Sequence, residues 1–169
     1  MEGLAMVAGP DYMHPMRAGE ADLVDGLLHQ AFAGEGKARL VRDLRATDQI
    51  ELEVVLPWEG EVLGYLALSR LVAPEGWLAL APVAIAPAWH GRGLGTRLVA
   101  MTLRLLAIKA QSVVVVGKPS FYERCGFSAA RAAGLRSPYP AHVTAFAGPG
   151  DDLPMAQVVY PDAFARLGA

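Results

Sequence analysis

The amino-acid sequence predicts an α/β fold in which helices flank a mixed β-sheet. Two segments with helical spacing come first, over Glu20–Phe32 and Lys37–Ala46. Three strand patterns then follow without an intervening helix, which argues against a fully parallel sheet. A long amphipathic helix and a run of four valines come next, so the order continues as strand, helix and strand.

The first third of the chain is predicted to be helical, apart from a short strand at Met13–Arg17. The helix at Glu20–Phe32 is predicted because its apolar residues recur at intervals of three and four. Gly34 and Gly36 interrupt the pattern, and Lys37–Ala46 resumes it. The apolar residues of the two helices are Leu23, Val24, Leu27, Leu28 and Ala31, and Leu40, Val41 and Leu44.

The middle of the chain predicts a β-meander, because apolar and β-branched runs alternate with turn residues. The first turn is Trp58–Glu61, which closes a hairpin, and the second is Pro74–Gly76. The three strands are expected at Ile50–Leu56, Val62–Val72 and Trp77–Ile85.

The strongest helical pattern follows the meander. Its apolar residues recur at steps of four and three, which is typical of one helix face packed on a sheet. This face is predicted to contain Leu94, Leu98, Met101, Leu105 and Ile108, widened by Val99, Leu103 and Leu106.

The remaining elements are shorter. Ser112–Val116 predicts a buried strand. Ser120–Cys125 predicts one or two helical turns, with Gly126 as the C-cap. Further strands are expected at His142–Ala147 and, at an edge, Met155–Tyr160.

Composition favours one globular domain over residues 1–169. Hydrophobic residues make up 53% and charged residues 19%, which provides a core and gives no signature of disorder. The net charge of −2 gives no general attraction to nucleic acid. The apolar runs are too short to span a membrane, and the N-terminus lacks the pattern of a signal peptide. A single cysteine, Cys125, fits a reducing compartment, so we expect a cytoplasmic protein.

The segment His90–Gly95 carries the clearest functional signal. It joins the end of a strand to the start of the long helix and contains Gly91, Gly93 and Gly95. The first N–H groups of a helix have no partner inside it and lie at its positive end, and glycine lets a ligand approach them. This arrangement suits a phosphate group, to which Arg92 and Arg97 could add charged contacts.

Two phosphate-binding patterns fail on their spacing. A dinucleotide fingerprint requires G-x-G-x-x-G, whereas the three glycines give G-x-G-x-G. A P-loop requires Ser or Thr after its Gly-Lys pair, whereas Gly117 and Lys118 are followed by Pro119.

A third pattern fits, because the hexad resembles motif A of the GNAT superfamily of N-acetyltransferases, [QR]-x-x-G-x-[GA] between a strand and a helix. His90 replaces the usual Gln or Arg. About 30 residues downstream, a strand leads into an F-Y-x-x-x-G-F pattern that resembles motif B of the same family. Phe121, Tyr122, Gly126 and Phe127 carry that pattern. The tail segments Ser137–Pro140 and Tyr160–Phe164 look like the YhbS-like branch of the superfamily.

This resemblance implies a fold with two splayed parallel strands and a binding site for acetyl-CoA, without a metal. The strand backbone would bind the pantetheine arm, and the glycine-rich segment would bind the pyrophosphate. Ser120 would add a second contact to the cofactor. The implied cofactor-binding residues are Val83, Ala84 and Ile85, then His90, Gly91, Arg92, Gly93, Leu94, Gly95 and Thr96, and Ser120.

The implied reaction is direct attack of a primary amine on the thioester, with no covalent enzyme intermediate. Tyr122 matches the family's general acid, which protonates the leaving thiolate. No base is evident; Glu20, Glu75 and ordered water are the candidates. The acceptor would be a small-molecule or peptide amine, no nucleic acid or membrane partner is implied, and a homodimer is compatible with the family. The alternative is a catalytically weak CoA-binding sensor or interaction module with the same fold.

Overall fold

The computed structural model describes residues 12–167, and the predicted helices and strands lie close to their expected positions. The N-terminal residues that were expected to lack a signal peptide lie outside this range. The helices are α1 Ala21–Ala31, α2 Gly36–Ala46, α3 Leu94–Ile108 and α4 Pro119–Cys125. The strands are β1 His14–Pro15, β2 Ile50–Trp58, β3 Glu61–Arg70, β4 Leu78–Ile85, β5 Val113–Val116, β6 Leu135–Arg136, β7 Thr144–Ala147 and β8 Ala156–Gln157.

The central sheet is mixed, as predicted. Its strand order is β1-β2-β3-β4-β5-β7. The pair β4–β5 is parallel, because α3 crosses over between these two strands, and the other pairs of this sheet are antiparallel. The predicted meander is therefore β2–β3–β4, and the predicted hairpin turn joins β2 to β3.

Two strand predictions are corrected by the structure. The strand expected to end at Leu56 continues through Pro57 to Trp58, because a register shift after Leu56 lets Pro57 pair with Val62. The edge strand expected at Met155–Tyr160 is reduced to β8, which pairs with β6 in a separate two-stranded sheet. Periodicity did not predict β6, since it is only two residues long.

The predicted apolar face of α3 is confirmed at Leu94, Leu98, Val99 and Leu106, and it is wrong at Met101, Leu105 and Ile108. Leu94, Leu98 and Val99 are buried, but the helix then continues its buried face through Thr102 and Leu106. The Thr102 hydroxyl donates to the Leu98 carbonyl at 2.8 Å, so a polar side chain is tolerated there. Met101, Leu105 and Ile108 are instead 38%, 52% and 82% exposed.

The sheet is covered on both faces. One face packs against α3 and α4, and the other packs against α1, α2 and the C-terminal 3₁₀ turn Asp162–Arg166. The valines of β5 alternate between the two cores: Val113 and Val115 face α3, whereas Val114 faces α2 and the C-terminal turn. Within residues 12–167, no helix is both long and apolar enough to cross a membrane.

Candidate active site

A gap opens in the sheet where β4 and β5 separate. Their parallel pairing covers three residue pairs and ends at Leu80 and Val115, although β4 continues to Ile85. Beyond Val116 the chain turns away from β4, and the Gly117 amide donates to the carbonyl of Val143 at 2.8 Å. The second half of β4 therefore has no strand on this side.

The backbone groups of β4 alternate between β3 and the gap. Ala84 is opposite Tyr65 in the antiparallel register, and the Ala86 amide donates to the Leu63 carbonyl at 2.8 Å. Because successive residues of a strand present their amides to opposite sides, Val83 and Ile85 present theirs to the gap. Ala84 of the predicted cofactor-binding set is turned towards β3.

The glycine-rich loop lies at the same end of β4. Gly91 and Gly93 have φ values of +79° and +77°, in the left-handed region that favours glycine. The space beside each is open, since a Cβ atom there would meet nothing within 4 Å. The Arg97 amide donates to the carbonyl of Gly93, so the amides of residues 94–96 precede the first hydrogen bond of α3. This shape fits a phosphate group at the start of the helix.

Gly95 has a different role from the other two glycines. A Cβ atom at this position would lie 3.3 Å from Cζ of Phe121 and 3.5 Å from Cγ1 of Ile85. Its lack of a side chain lets the first turn of α3 approach α4 and the end of β4. The hexad thus combines a turn with close packing of two helices.

Two side chains of the loop contact the residues that precede it and stabilise its position. His90 Nε2 donates to the carbonyl of Ile85 at 2.7 Å, which ties the loop back to β4. The guanidinium of Arg92 lies over the Trp89 ring, 4.5 Å from its centroid. Since His90 is bound through its ring, the side chain that departs from the family pattern holds the loop to the strand.

Tyr122 lies on α4, where the resemblance places a general acid. A Cβ atom at Gly117 would lie 2.6 Å from Cε2 of Tyr122, so the ring occupies the place of a side chain at the end of β5. Phe121 and Phe127 contact the ring edge to face, with centroids 4.9 and 5.7 Å away. Burial, with a smaller contribution from Cys125, raises the pKa of Tyr122 to about 12.

The neighbouring residues of α4 have distinct roles. Ser120 is exposed, and its carbonyl accepts a hydrogen bond from Arg124 at 3.3 Å. Cys125 is buried, and its thiol donates to the carbonyl of Phe121 at 3.4 Å. Burial raises the pKa of this thiol and disfavours the thiolate that a nucleophile would need.

The structure does not bring the two candidate bases to the gap. Glu75 lies in the turn that precedes β4, at the opposite end of that strand from Ile85. Glu20 accepts from the Arg17 amide at 2.8 Å and lies 3.4 Å from His14, beside β1. The sequence did not place either residue relative to the sheet, because it put Glu20 at the start of the first helix and Glu75 in the turn before β4.

A small cavity of about 90 Å³ lies at the start of the gap, on the face covered by α2. Its strand walls belong to the two strands that the resemblance implied to splay apart, whereas the residues above them come from distant segments and were not predicted individually. The Tyr160 hydroxyl is buried, with no hydrogen-bond partner within residues 12–167. Its ring contacts Tyr139, with centroids 5.0 Å apart. The lining residues are Leu80, Ala81, Val114 and Val116 of the two strands, and Lys37, Tyr139, Tyr160, Phe164 and Leu167 above them.

Between residues 12 and 167, no three His, Cys, Asp or Glu side chains lie close enough together to bind a metal ion.

Comparison with known proteins gives a consistent set of matches. The family model described as "Acetyltransferase (GNAT) domain" matches residues 50–129, which include β4, the glycine-rich loop and α4. The uncharacterized N-acetyltransferase YhbS of Escherichia coli K12 is 36% identical over 132 residues, which cover 75% of this chain and 79% of that protein.

Two solved structures are similar over nearly the whole chain. YhbS from Escherichia coli in complex with CoA superposes with a TM-score of 0.84 at 30% identity, covering 94% of this chain and 96% of that one. A GNAT family acetyltransferase from Brucella melitensis in complex with acetyl-CoA gives a TM-score of 0.76 at 26% identity, covering 90% and 97%.

Proposed function

Because the chain belongs to the acetyltransferase (GNAT) family, we propose that it transfers an acetyl group from acetyl-CoA to a primary amine by direct attack, without a covalent enzyme intermediate. The observation that carries this proposal is the gap between β4 and β5, with the glycine-rich loop at one end and Tyr122 beside it. We include in the proposal a single domain over residues 1–169 and a cytoplasmic location.

The cofactor would be bound mainly by backbone groups. The amides of Val83 and Ile85, which face the gap, suit the amide groups of the pantetheine arm. The positive end of α3 suits the pyrophosphate, with Ser120 at the start of α4 as a further contact. The backbone that would bind the pyrophosphate belongs to His90, Gly91, Arg92, Gly93, Leu94, Gly95 and Thr96.

Tyr122 would supply the proton that the reaction needs. As the amine attacks the thioester carbonyl, a C–N bond forms and the C–S bond breaks, which leaves a basic CoA thiolate. Because burial raises the pKa of Tyr122 to about 12, the phenol remains protonated until the sulfur develops charge. Its ring position is fixed by Gly117 and by two aromatic neighbours.

The proton lost by the acceptor amine would pass to water. Neither Glu20 nor Glu75 lies at the gap, and the side chains that line the small cavity between β4 and β5 include no carboxylate. Because no carboxylate base lies at the gap among the described residues, the alternative function is also compatible with the site. That alternative is a catalytically weak CoA-binding sensor or interaction module.

Two measurements separate these functions. Isothermal titration with CoA tests the site itself, and absence of binding at millimolar CoA would contradict both functions. Release of free thiol from acetyl-CoA in the presence of a panel of small-molecule and peptide amines then tests turnover. CoA binding with no amine-dependent thiol release would favour the sensor or interaction module.

A further inference from the structure

Lys37 places a primary amine side chain beside the gap between β4 and β5. It is the second residue of α2, and it lines the cavity of about 90 Å³ together with Ala81 and Val116. Within residues 12–167 its amine has no ion pair or hydrogen bond; Nζ lies 5.5 Å from the centroid of the Phe32 ring. The amine is therefore not held in a structural ion pair.

Two features of the surroundings of Lys37 favour its neutral form and act against the contact of the ammonium group with the Phe32 ring. Burial lowers the pKa of the ammonium group. Its position in the first turn of α2 acts in the same direction, because the positive end of a helix disfavours a cation. The carboxylate of Glu35, two residues earlier, is bound by His29 at 2.6 Å and by Arg42 at 3.0 Å. A desolvated lysine without a counterion has an increased fraction of the nucleophilic free amine.

Lys37 and Tyr122 lie on opposite faces of the sheet at the gap. The cavity beside Lys37 is walled by Val114 and Phe164, which belong to the core under α2. Tyr122 packs into the other core, under α3 and α4. Leu80 belongs to that second core and also lines the cavity, so the cavity extends into the gap between the strands. An amine on one face and a phenol on the other suit attack on a thioester between them and protonation of its leaving group.

We propose that Lys37 is itself an acetyl acceptor, which the protein modifies within its own active site. The proposal rests on the proposed acetyltransferase function. The neutral Nζ attacks the carbonyl carbon of acetyl-CoA, the C–N bond forms, the C–S bond breaks, and the thiolate takes the Tyr122 proton. The proton released from Nζ passes to water and restores Tyr122, so the products are N-acetyl-lysine and free CoA. Because one amine accepts one acetyl group, each molecule modifies itself once, and the gap remains open to an external acceptor.

The sequence provides internal controls, because the chain has three lysines, Lys37, Lys109 and Lys118. Lys109 and Lys118 are exposed and report the background reaction of any lysine with acetyl-CoA. The full-length protein is incubated with acetyl-CoA, and acetylation at each lysine is followed over time by peptide mass spectrometry. We expect Lys37 to be acetylated about ten times faster than either exposed lysine, or more, because its side chain lines the cavity that opens into the gap proposed to hold the thioester.

Three further measurements test whether Lys37 reacts in the active site of its own molecule. Its rate constant should not depend on protein concentration, and Tyr122→Phe should slow it. Lys37→Arg should retain CoA binding by titration while acetylation at Lys109 and Lys118 remains at background. A rate that rises with protein concentration would mean transfer between molecules and would overturn the proposal.

The proposal and the proposed function fail differently. Protein that binds CoA but acetylates Lys37 no faster than Lys109 and Lys118 overturns self-acetylation and leaves the transferase function intact. Protein that does not bind CoA overturns both.

Discussion

The two ends of the proposed active site are assembled in different ways. The cofactor end is formed by one continuous stretch, from Val83 to Phe127, and its decisive contacts are local: Gly95 against Phe121, and Gly117 against Tyr122. We assign the acceptor end to the cavity of about 90 Å³, which brings together residues from five separate parts of the chain. They are Lys37, Leu80 and Ala81, Val114 and Val116, Tyr139, and the tail residues Tyr160, Phe164 and Leu167.

This difference follows from what each end has to recognise. A cofactor pyrophosphate can be bound by backbone amides and a helix terminus, so the sequence needs only glycines at fixed spacing. An acceptor amine is selected by side chains on the walls of a cavity, and these can come from any segment that folds there. Changes at the cofactor end should therefore remove function, and changes at the acceptor end should alter it.

The largest effect is expected from Gly93→Val. The substitution places a side chain in the open space where the pyrophosphate is proposed to bind, so CoA binding should be lost in isothermal titration. Because Gly93 has a φ of +77°, the substitution also strains the backbone, by about 1–2 kcal/mol.

Gly76→Val is the matched control for that strain. Gly76 has a φ of +86° with open space beside it, but it lies in the turn before β4, at the far end of the strand from the loop. Both variants should lose similar stability to denaturant, and only Gly93→Val should lose CoA binding. If both variants bind CoA equally well, the pyrophosphate does not bind at this loop.

Tyr122→Phe should lower kcat by about 10²–10⁴-fold, since it removes the proton donor and keeps the ring. CoA affinity should change much less, because one hydroxyl contact contributes roughly 1 kcal/mol. The pH profile gives a second measurement. With its pKa raised from 10.0 to about 12, the Tyr122 phenol keeps its proton as the pH rises through 10, so kcat should not fall there. Unchanged kcat in Tyr122→Phe would show that another group protonates the sulfur.

The two apolar faces of α3 should differ in their contribution to stability. Leu106 is buried against the sheet, whereas the adjacent Leu105 is 52% exposed. Leu106→Ala should lower the free energy of unfolding by about 2–5 kcal/mol. Leu105→Ala should change it by less than about 0.5 kcal/mol, unless this face is covered by a second copy of the chain. Denaturant unfolding at two protein concentrations measures both effects.

This helix shows where sequence reasoning ends. Periodicity predicted the bounds of α3, but after Leu98 steps of three and four lead to two alternative faces, Met101–Leu105 and Thr102–Leu106. The sheet packs against the second face, although it contains a threonine. Local spacing allows both faces, and only tertiary contacts decide between them.

The same limit applies to the site. The glycine-rich loop and Tyr122 were predicted because motifs identify a local backbone shape. Lys37 and Tyr160 were not predicted as site residues, since no spacing relates residues more than 100 positions apart. The orientation of Ala84 towards β3 was missed for a similar reason, because it depends on strand register, which short apolar runs do not specify.

The smallest effect is expected from Tyr160→Phe, which tests whether the Tyr160 hydroxyl binds an acceptor. Tyr160 and Tyr65 both have buried hydroxyls, but that of Tyr65 donates to Glu53 at 2.6 Å and that of Tyr160 has no partner within residues 12–167. Removing a hydroxyl that donates to a buried carboxylate lowers the free energy of unfolding by about 1–3 kcal/mol. Removing a buried hydroxyl that has no partner removes a desolvation cost that no hydrogen bond offsets. Tyr65→Phe should therefore destabilise the protein, and Tyr160→Phe should leave its stability unchanged or slightly higher.

The stability of Tyr160→Phe has to be compared with its activity. A hydroxyl kept for an acceptor should matter only when the acceptor is present, so this variant should raise KM for the acceptor and leave CoA affinity unchanged. Denaturant unfolding and steady-state kinetics on both variants separate the two contributions. If Tyr160→Phe destabilises the protein as much as Tyr65→Phe and leaves KM unchanged, the hydroxyl has a structural partner in the folded protein. The tail would then close the cavity without contributing to recognition.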